Sequence, residues 1–161
     1  MPIEPKQVKL PAFNLVGYSI RTDNQTEKNH LIAKIPSLWQ KFMEGGICQQ
    51  ILTNMGKDPN VPVPVYSVYH QYESDHTAPY SVSLSLEGTQ TGTEFETIQI
   101  PEQTYLVFSA QGNFAEIVPQ TWFAIWQYFE DNKTIKRSFT KDFERYPSSK
   151  QVDVHIAIDL K

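Results

Sequence analysis

From Tyr80 to Glu87 the chain alternates at every residue. Tyr80, Val82, Leu84 and Leu86 fall on one side; Ser81, Ser83, Ser85 and Glu87 fall on the other. A period of two is the mark of a β-strand, and the serine side is either wet or lines a polar groove. The closing run QVDVHIAIDL obeys the same rule, with Val152, Val154, Ile156 and Ile158 opposed to Asp153, His155 and Asp159. Further strand-forming runs are FNLVGYSIR (13–21), VYSVYHQYE (65–73), FETIQI (95–100), TYLVFSAQ (104–111) and RSFTKDFERY (137–146), all rich in β-branched and aromatic residues.

Two segments carry a helical period instead. Leu31, Ile35, Leu38, Trp39 and Phe42 recur at spacings of three and four. Asp23, Asn24, Thr26 and Asn29 are the available start caps, and Gly45-Gly46 marks the end. Pro36 either opens this helix or kinks an earlier turn. Beyond Gly112–Pro119, Trp122, Ile125, Trp126 and Phe129 form a second stripe, which DNKT stops. A shorter helical piece covers Ile47–Met55, and the proline-rich KDPNVPVP and the turn-rich GTQTGT are connectors.

The order strand, helix, strand, strand therefore occurs twice. The residues echo it: SLWQKF (37–42) matches AIWQYF (124–129), and QYE (71–73) matches DFE (142–144). The expectation is one α+β domain over 1–161, built from duplicated βαββ units at about 8–88 and 95–161. Such units give an antiparallel sheet, two main helices and a groove where the halves meet, a preferred place for a small molecule.

Composition narrows the partners. A net charge of −4 and no Lys/Arg run argue against direct nucleic-acid binding, which needs a basic face. One cysteine, Cys48, leaves no intrachain disulfide, and a buried small residue is its simplest role. With no leader-like or membrane-length apolar stretch, a cytoplasmic protein without membrane contact is expected. His30, His70, His76 and His155 lack metal-ligand spacing, and neither a phosphate loop nor a G-x-S-x-G turn is present, so no metal, cofactor, catalytic residue or enzyme activity is expected.

What stands out is the aromatic content of 12%. Within DFERY, alternation places Asp142, Glu144 and Tyr146 on one face and turns Phe143 to the other, expected to be the helix-packed one. A carboxylate flanked by rings suits an organic cation through Coulomb and cation–π attraction; the competing reading is a surface glutamate paired with Arg145 or Lys141. Glu73, near Tyr66, Tyr69 and Tyr72, is either a second acidic contact or a surface charge. Trp39 and Trp126 are core anchors or stacking walls, and Tyr80 and Tyr146 share that ambiguity.

These pieces together resemble the GyrI-like (AraC-type) effector-binding domains of bacteria, and more closely their stand-alone, integron-associated branch. The resemblance runs from about Phe13 to Leu160 and is carried by VGYSIRTDNQ, IPSLWQKF, VYHQYESD, the strand around Tyr80, IPEQTYLVFSAQG, the Trp122–Trp126 helix and DFERY. It implies a groove for drugs and other amphipathic cations, with Glu144 reaching in among aromatic residues. On that basis the expected ligand-binding set is Glu144, Tyr146, Glu73, Tyr69, Tyr72, Tyr80, Trp39 and Trp126. Many relatives join this domain to a helix-turn-helix. The sensor is expected to use all 161 residues here, so transcription control would need a protein or DNA-binding partner chain. Two other functions stay open: a protein-interaction inhibitor of the gyrase-inhibitor type, and a hydrolase with Glu144 or Glu73 as general base.

Overall fold

The alternating run 80–87 is the fourth strand of a sheet that dominates the molecule, a computed structural model that describes residues 4–29, 31–75 and 77–159. In chain order the elements are β1 (Lys6–Leu10), β2 (Phe13–Thr22), α1 (Asn24–Lys28), α2 (Ile35–Met43), α3 (Ile47–Asn54), β3 (Val65–His70) and β4 (Tyr80–Glu87). They continue with β5 (Glu96–Ile100), β6 (Gln103–Gln111), α4 (Phe114–Asp131), β7 (Lys136–Arg137), β8 (Lys141–Ser148) and β9 (Gln151–Asp159). The sheet is antiparallel, in the order β1-β6-β9-β8-β3-β4-β2-β5, with β7 added to β9. The class is α+β, as the alternation and the two helical stripes require.

The order is balanced about the central pair β3–β8. On one side lie β4, β2 and β5; on the other lie β9, β6 and β1. The edges are exchanged: β1, which precedes β2, pairs with β6, while β5, which precedes β6, pairs with β2. In the central pair Ser67 stands directly opposite Glu144.

Each sheet face has its own core. Val16, Tyr80, Val82, Leu84 and Leu86 are covered by Leu38 and Phe42 of α2 and Ile51 and Leu52 of α3. Leu106, Phe108, Val152, Val154, Ile156 and Ile158 are covered by Ile117 and Ile125 of α4. On the other face Leu15, Tyr66, Val68, Ile98, Ile100, Tyr105, Phe143 and Ala157 form a third cluster, which joins β5 to β6 because the sheet curls on itself.

That curl corrects two expectations. The serines of β4 are not wet: Ser81, Ser83 and Ser85 are buried on the inside of the curl, and Ser83 and Ser85 are hydrogen-bonded to each other at 2.9 Å. Phe143 does not face the helices; it belongs to the inner cluster, and Glu144 takes the helix side beside its partner Val154. Pro36 sits in the first turn of α2, where its missing N–H costs nothing, so the helix starts there. A separate short helix, α1, precedes it, capped by the Asp23 carboxylate, which accepts from the Thr26 N–H. Among the described residues no helix is long and apolar enough to cross a membrane.

Candidate functional site

β8 brings Asp142, Glu144 and Tyr146 to the helix-bearing face, under the gap between α2 and α4. The Glu144 carboxylate is 1% exposed. Three aromatic donors close over it: Tyr69 Oη at 2.9 Å and Trp122 Nε1 at 2.5 Å donate to Oε2, and Tyr146 Oη at 2.6 Å donates to Oε1. No Lys, Arg or His forms an ion pair with it among the described residues. Burial pushes the carboxyl above the ordinary range; the three donors pull the other way without cancelling it. Arg145 and Lys141 lie on strand positions of the opposite parity, so the surface-paired reading of Glu144 does not apply.

Asp142, two residues earlier on the same face, is fully buried and its charge is met. Arg137 Nη2 lies 2.8 Å away, Tyr72 Oη also donates to Oδ2, and the Ala157 N–H donates to Oδ1. The two neighbouring carboxylates thus differ in one respect: Asp142 has a cation, and Glu144 has only neutral donors.

Two cavities are lined by the donors to Glu144. The smaller, about 180 Å³, is lined by Tyr69, Tyr72, Tyr80, Trp122, Trp126 and Arg137, with Asn24, Glu27 and Ile35. The larger, about 780 Å³, lies between α2 and α4 and includes Trp39, Met43, Val65, Phe114, Val118 and Tyr146. Ile35 borders both. Tyr69 and Trp122 face the smaller and Tyr146 the larger, so Glu144 and its donors form the partition between them.

The expected set divides accordingly. Tyr69, Tyr72, Tyr80 and Trp126 are in the smaller cavity. Tyr146 and Trp39 are in the larger, their rings edge-to-face at 5.2 Å. Trp126 is 38% exposed, a wall rather than a core anchor. Tyr80 satisfies its phenol by donating to Asn24 Oδ1 at 2.6 Å.

Glu73 lies elsewhere. β3 stops at His70, Gln71 takes a left-handed backbone (φ 52°), and the Glu73 side chain stands 65% exposed, 3.8 Å from Arg21. The strand position facing Glu144 is Ser67, and Glu73 lies three residues beyond the end of β3. Sequence reasoning also passed over Trp122, Ser67 and Arg137. Trp122 was visible in the helical stripe; the other two carry no local signal. His30 and His76 lie outside the described residues. Cys48 is half-buried against the α2–α3 core, which pushes its thiol pKa up.

Residues 7–160 match the family model described as the Cass2 integron-associated effector binding protein. An integron cassette protein from the mobile metagenome of Vibrio cholerae is 30% identical, with a TM-score of 0.77 over 96% of this chain and 95% of that one. SAV2435, solved bound to tetraphenylphosphonium, shares the fold at 17% identity and a TM-score of 0.78, over 98% of this chain and 94% of that one. A hydrolase from Listeria innocua is more distant, at 14% identity and a TM-score of 0.51 over 98% and 92% of the two chains. A comparison with curated proteins gives no match.

Proposed function

The chain belongs to the integron-associated effector-binding protein family, and from that premise we propose that it captures hydrophobic organic cations between α2 and α4, with Glu144 as their charge partner. One observation carries the reading: a carboxylate shut away from water, ringed by aromatics and lacking a cation. Burying such a charge is costly unless something repays it, and neutral donors repay only part. A guest cation completes the site. The faces of Trp122, Tyr69 and Tyr146 would each add ~0.5–2 kcal/mol of cation–π attraction. Because none of this is directional, guests of many shapes fit.

Contact requires Tyr146 or Trp122 to turn aside. Either motion removes part of the partition and merges the two cavities into one cleft. The displaced donor gives up one hydrogen bond to a charged group, about 1.5–3 kcal/mol, which the incoming cation offsets. SAV2435 holds tetraphenylphosphonium on the same fold, which supports this ligand class. We also read the balanced flanks of β3–β8 as a duplication within a single domain, its cleft opening at the junction. The site as built holds charge and does not turn it over: the carboxylate oxygens already accept three hydrogen bonds, an arrangement that disfavours a general base. Sensing and sequestration both use such capture.

All three tryptophans line the two cavities, so their fluorescence reports directly on occupancy. Titration with tetraphenylphosphonium should quench it saturably. Glu144→Gln, which keeps the shape and removes the charge, should weaken binding at least tenfold. Equal affinity in the two proteins would refute the role given to Glu144.

A further inference from the structure

Arg137 lines the smaller cavity, whose walls also include Tyr69 and Trp122, the donors to Glu144. Its side chain is 7% exposed. The guanidinium lies over the Phe139 ring, 4.3 Å from its centroid, and Phe139 holds that ring in place with a left-handed backbone (φ 52°) that a bulky residue rarely adopts. A strained platform under a buried arginine fixes where its N–H groups point.

Those N–H groups are incompletely used. Nη2 donates to Asp142, while Nε is shielded from solvent and has no partner among the described residues. A buried donor left unbonded is destabilising, and most native structures avoid it. Arg137 itself lines the smaller cavity, which joins the guest's cleft once Tyr146 or Trp122 turns aside.

We propose that Arg137 reads an uncharged hydrogen-bond acceptor, a carbonyl or amide oxygen, on the cation bound by Glu144. The inference rests on the cation reading of the site and names the class of cation more narrowly. A carboxylate on the guest is the poorer match, because Asp142 already neutralises Arg137 and would repel a second anion beside it. A neutral oxygen meets the spare donor without that penalty. Asp142 and Glu144 stand roughly 7 Å apart along β8, and one para-substituted ring spans a comparable distance between a cationic centre and an acceptor.

A matched set of phosphonium ions tests this by tryptophan fluorescence. (4-Acetylphenyl)triphenylphosphonium carries the carbonyl at that reach; the 4-isopropenyl analogue has the same shape without the oxygen; the 4-carboxyphenyl analogue adds a charge. In the unaltered protein the acetyl compound should bind at least tenfold more tightly than either of the others. R137K leaves Asp142 a cation but removes Nε and the planar fork, and should bring the acetyl-to-isopropenyl ratio to within twofold. If R137K does not fold, the double variant R137M/D142N, which removes the pair together, should do the same. Equal binding of the acetyl and isopropenyl compounds to the unaltered protein overturns the inference and leaves the cation reading intact. A ratio that survives loss of Arg137, or a carboxylate that binds as well as the ketone, also overturns it. Failure of all three to bind would sink the cation reading itself.

Discussion

Asp142 and Glu144 face the same way from one strand, and what separates them is the company each keeps. Arg137 meets one, and three neutral donors meet the other. Since burial raises the Glu144 pKa and a cation binds only its ionised form, protons compete with the guest. Tetraphenylphosphonium affinity should therefore rise with pH through the raised pKa and level off above it. Titrations from pH 8 to pH 4.5 check this, and a flat profile would contradict it. Ser67, opposite Glu144, has a buried hydroxyl without a partner among the described residues. Ser67→Ala should leave stability unchanged or raise it by up to about 1 kcal/mol, since nothing is lost but an unmet donor. A clear loss in urea denaturation would reveal an ordered water or other partner. That Asp142, Glu144 and Tyr146 share one strand face was legible from the alternation in DFERY; that this face is the helix-covered one was not. Its donors Trp122 and Tyr69 come from α4 and β3, and no local spacing links them to it.

Among the elements, β2 and β4 show how far alternation carries. The apolar sides of β4 and β9 were legible, and the helices claimed them as expected, whereas Phe143 of β8 went to the inner face. The serine side of β4 was misread because its cover comes from the same sheet curling round. There Gly17 lies against Ser85: a Cβ at position 17 would stand 2.2 Å from the Ser85 Oγ and 2.5 Å from the Leu84 carbonyl oxygen. Gly17→Ala should cost about 1–3 kcal/mol of stability, lowering Tm by roughly 2–10 °C in a calorimetric scan. An unchanged Tm would mean that the strands move apart freely. β1 and β7 had no sequence signature, since KQVKL is short and half polar and β7 is only two residues long. The stripe in α4 was legible despite Pro119, which the helix accommodates as its sixth residue.

For the molecule as a whole, two buried histidines set the acid limit. Burial lowers the pKa of both His70 and His155 from 6.5 to about 4. The unfolded chain then binds more protons between those values, so stability is full above about pH 6.5 and falls as the pH drops towards 4, by on the order of 3 kcal/mol per histidine. Glu144 contributes in the opposite sense: its raised pKa costs the empty protein stability as the pH rises through it. Urea melts of Glu144→Gln at pH 7, 5.5 and 4.5 isolate the histidines, and a midpoint independent of pH would show them to be solvated. By itself the sequence determined the class of every long strand and helix, the stripes that make the two helix-covered cores, and the strand face that Asp142, Glu144 and Tyr146 share, because periodicity and residue chemistry are local properties. Only the tertiary structure decided that the sheet curls, that Ser67 faces Glu144 while Glu73 lies beyond the end of β3, and that Arg137 joins Tyr69 and Trp122 in lining the smaller cavity. Those relations depend on strand register and on which elements meet at the β3–β8 seam, and register is set by packing across the whole sheet.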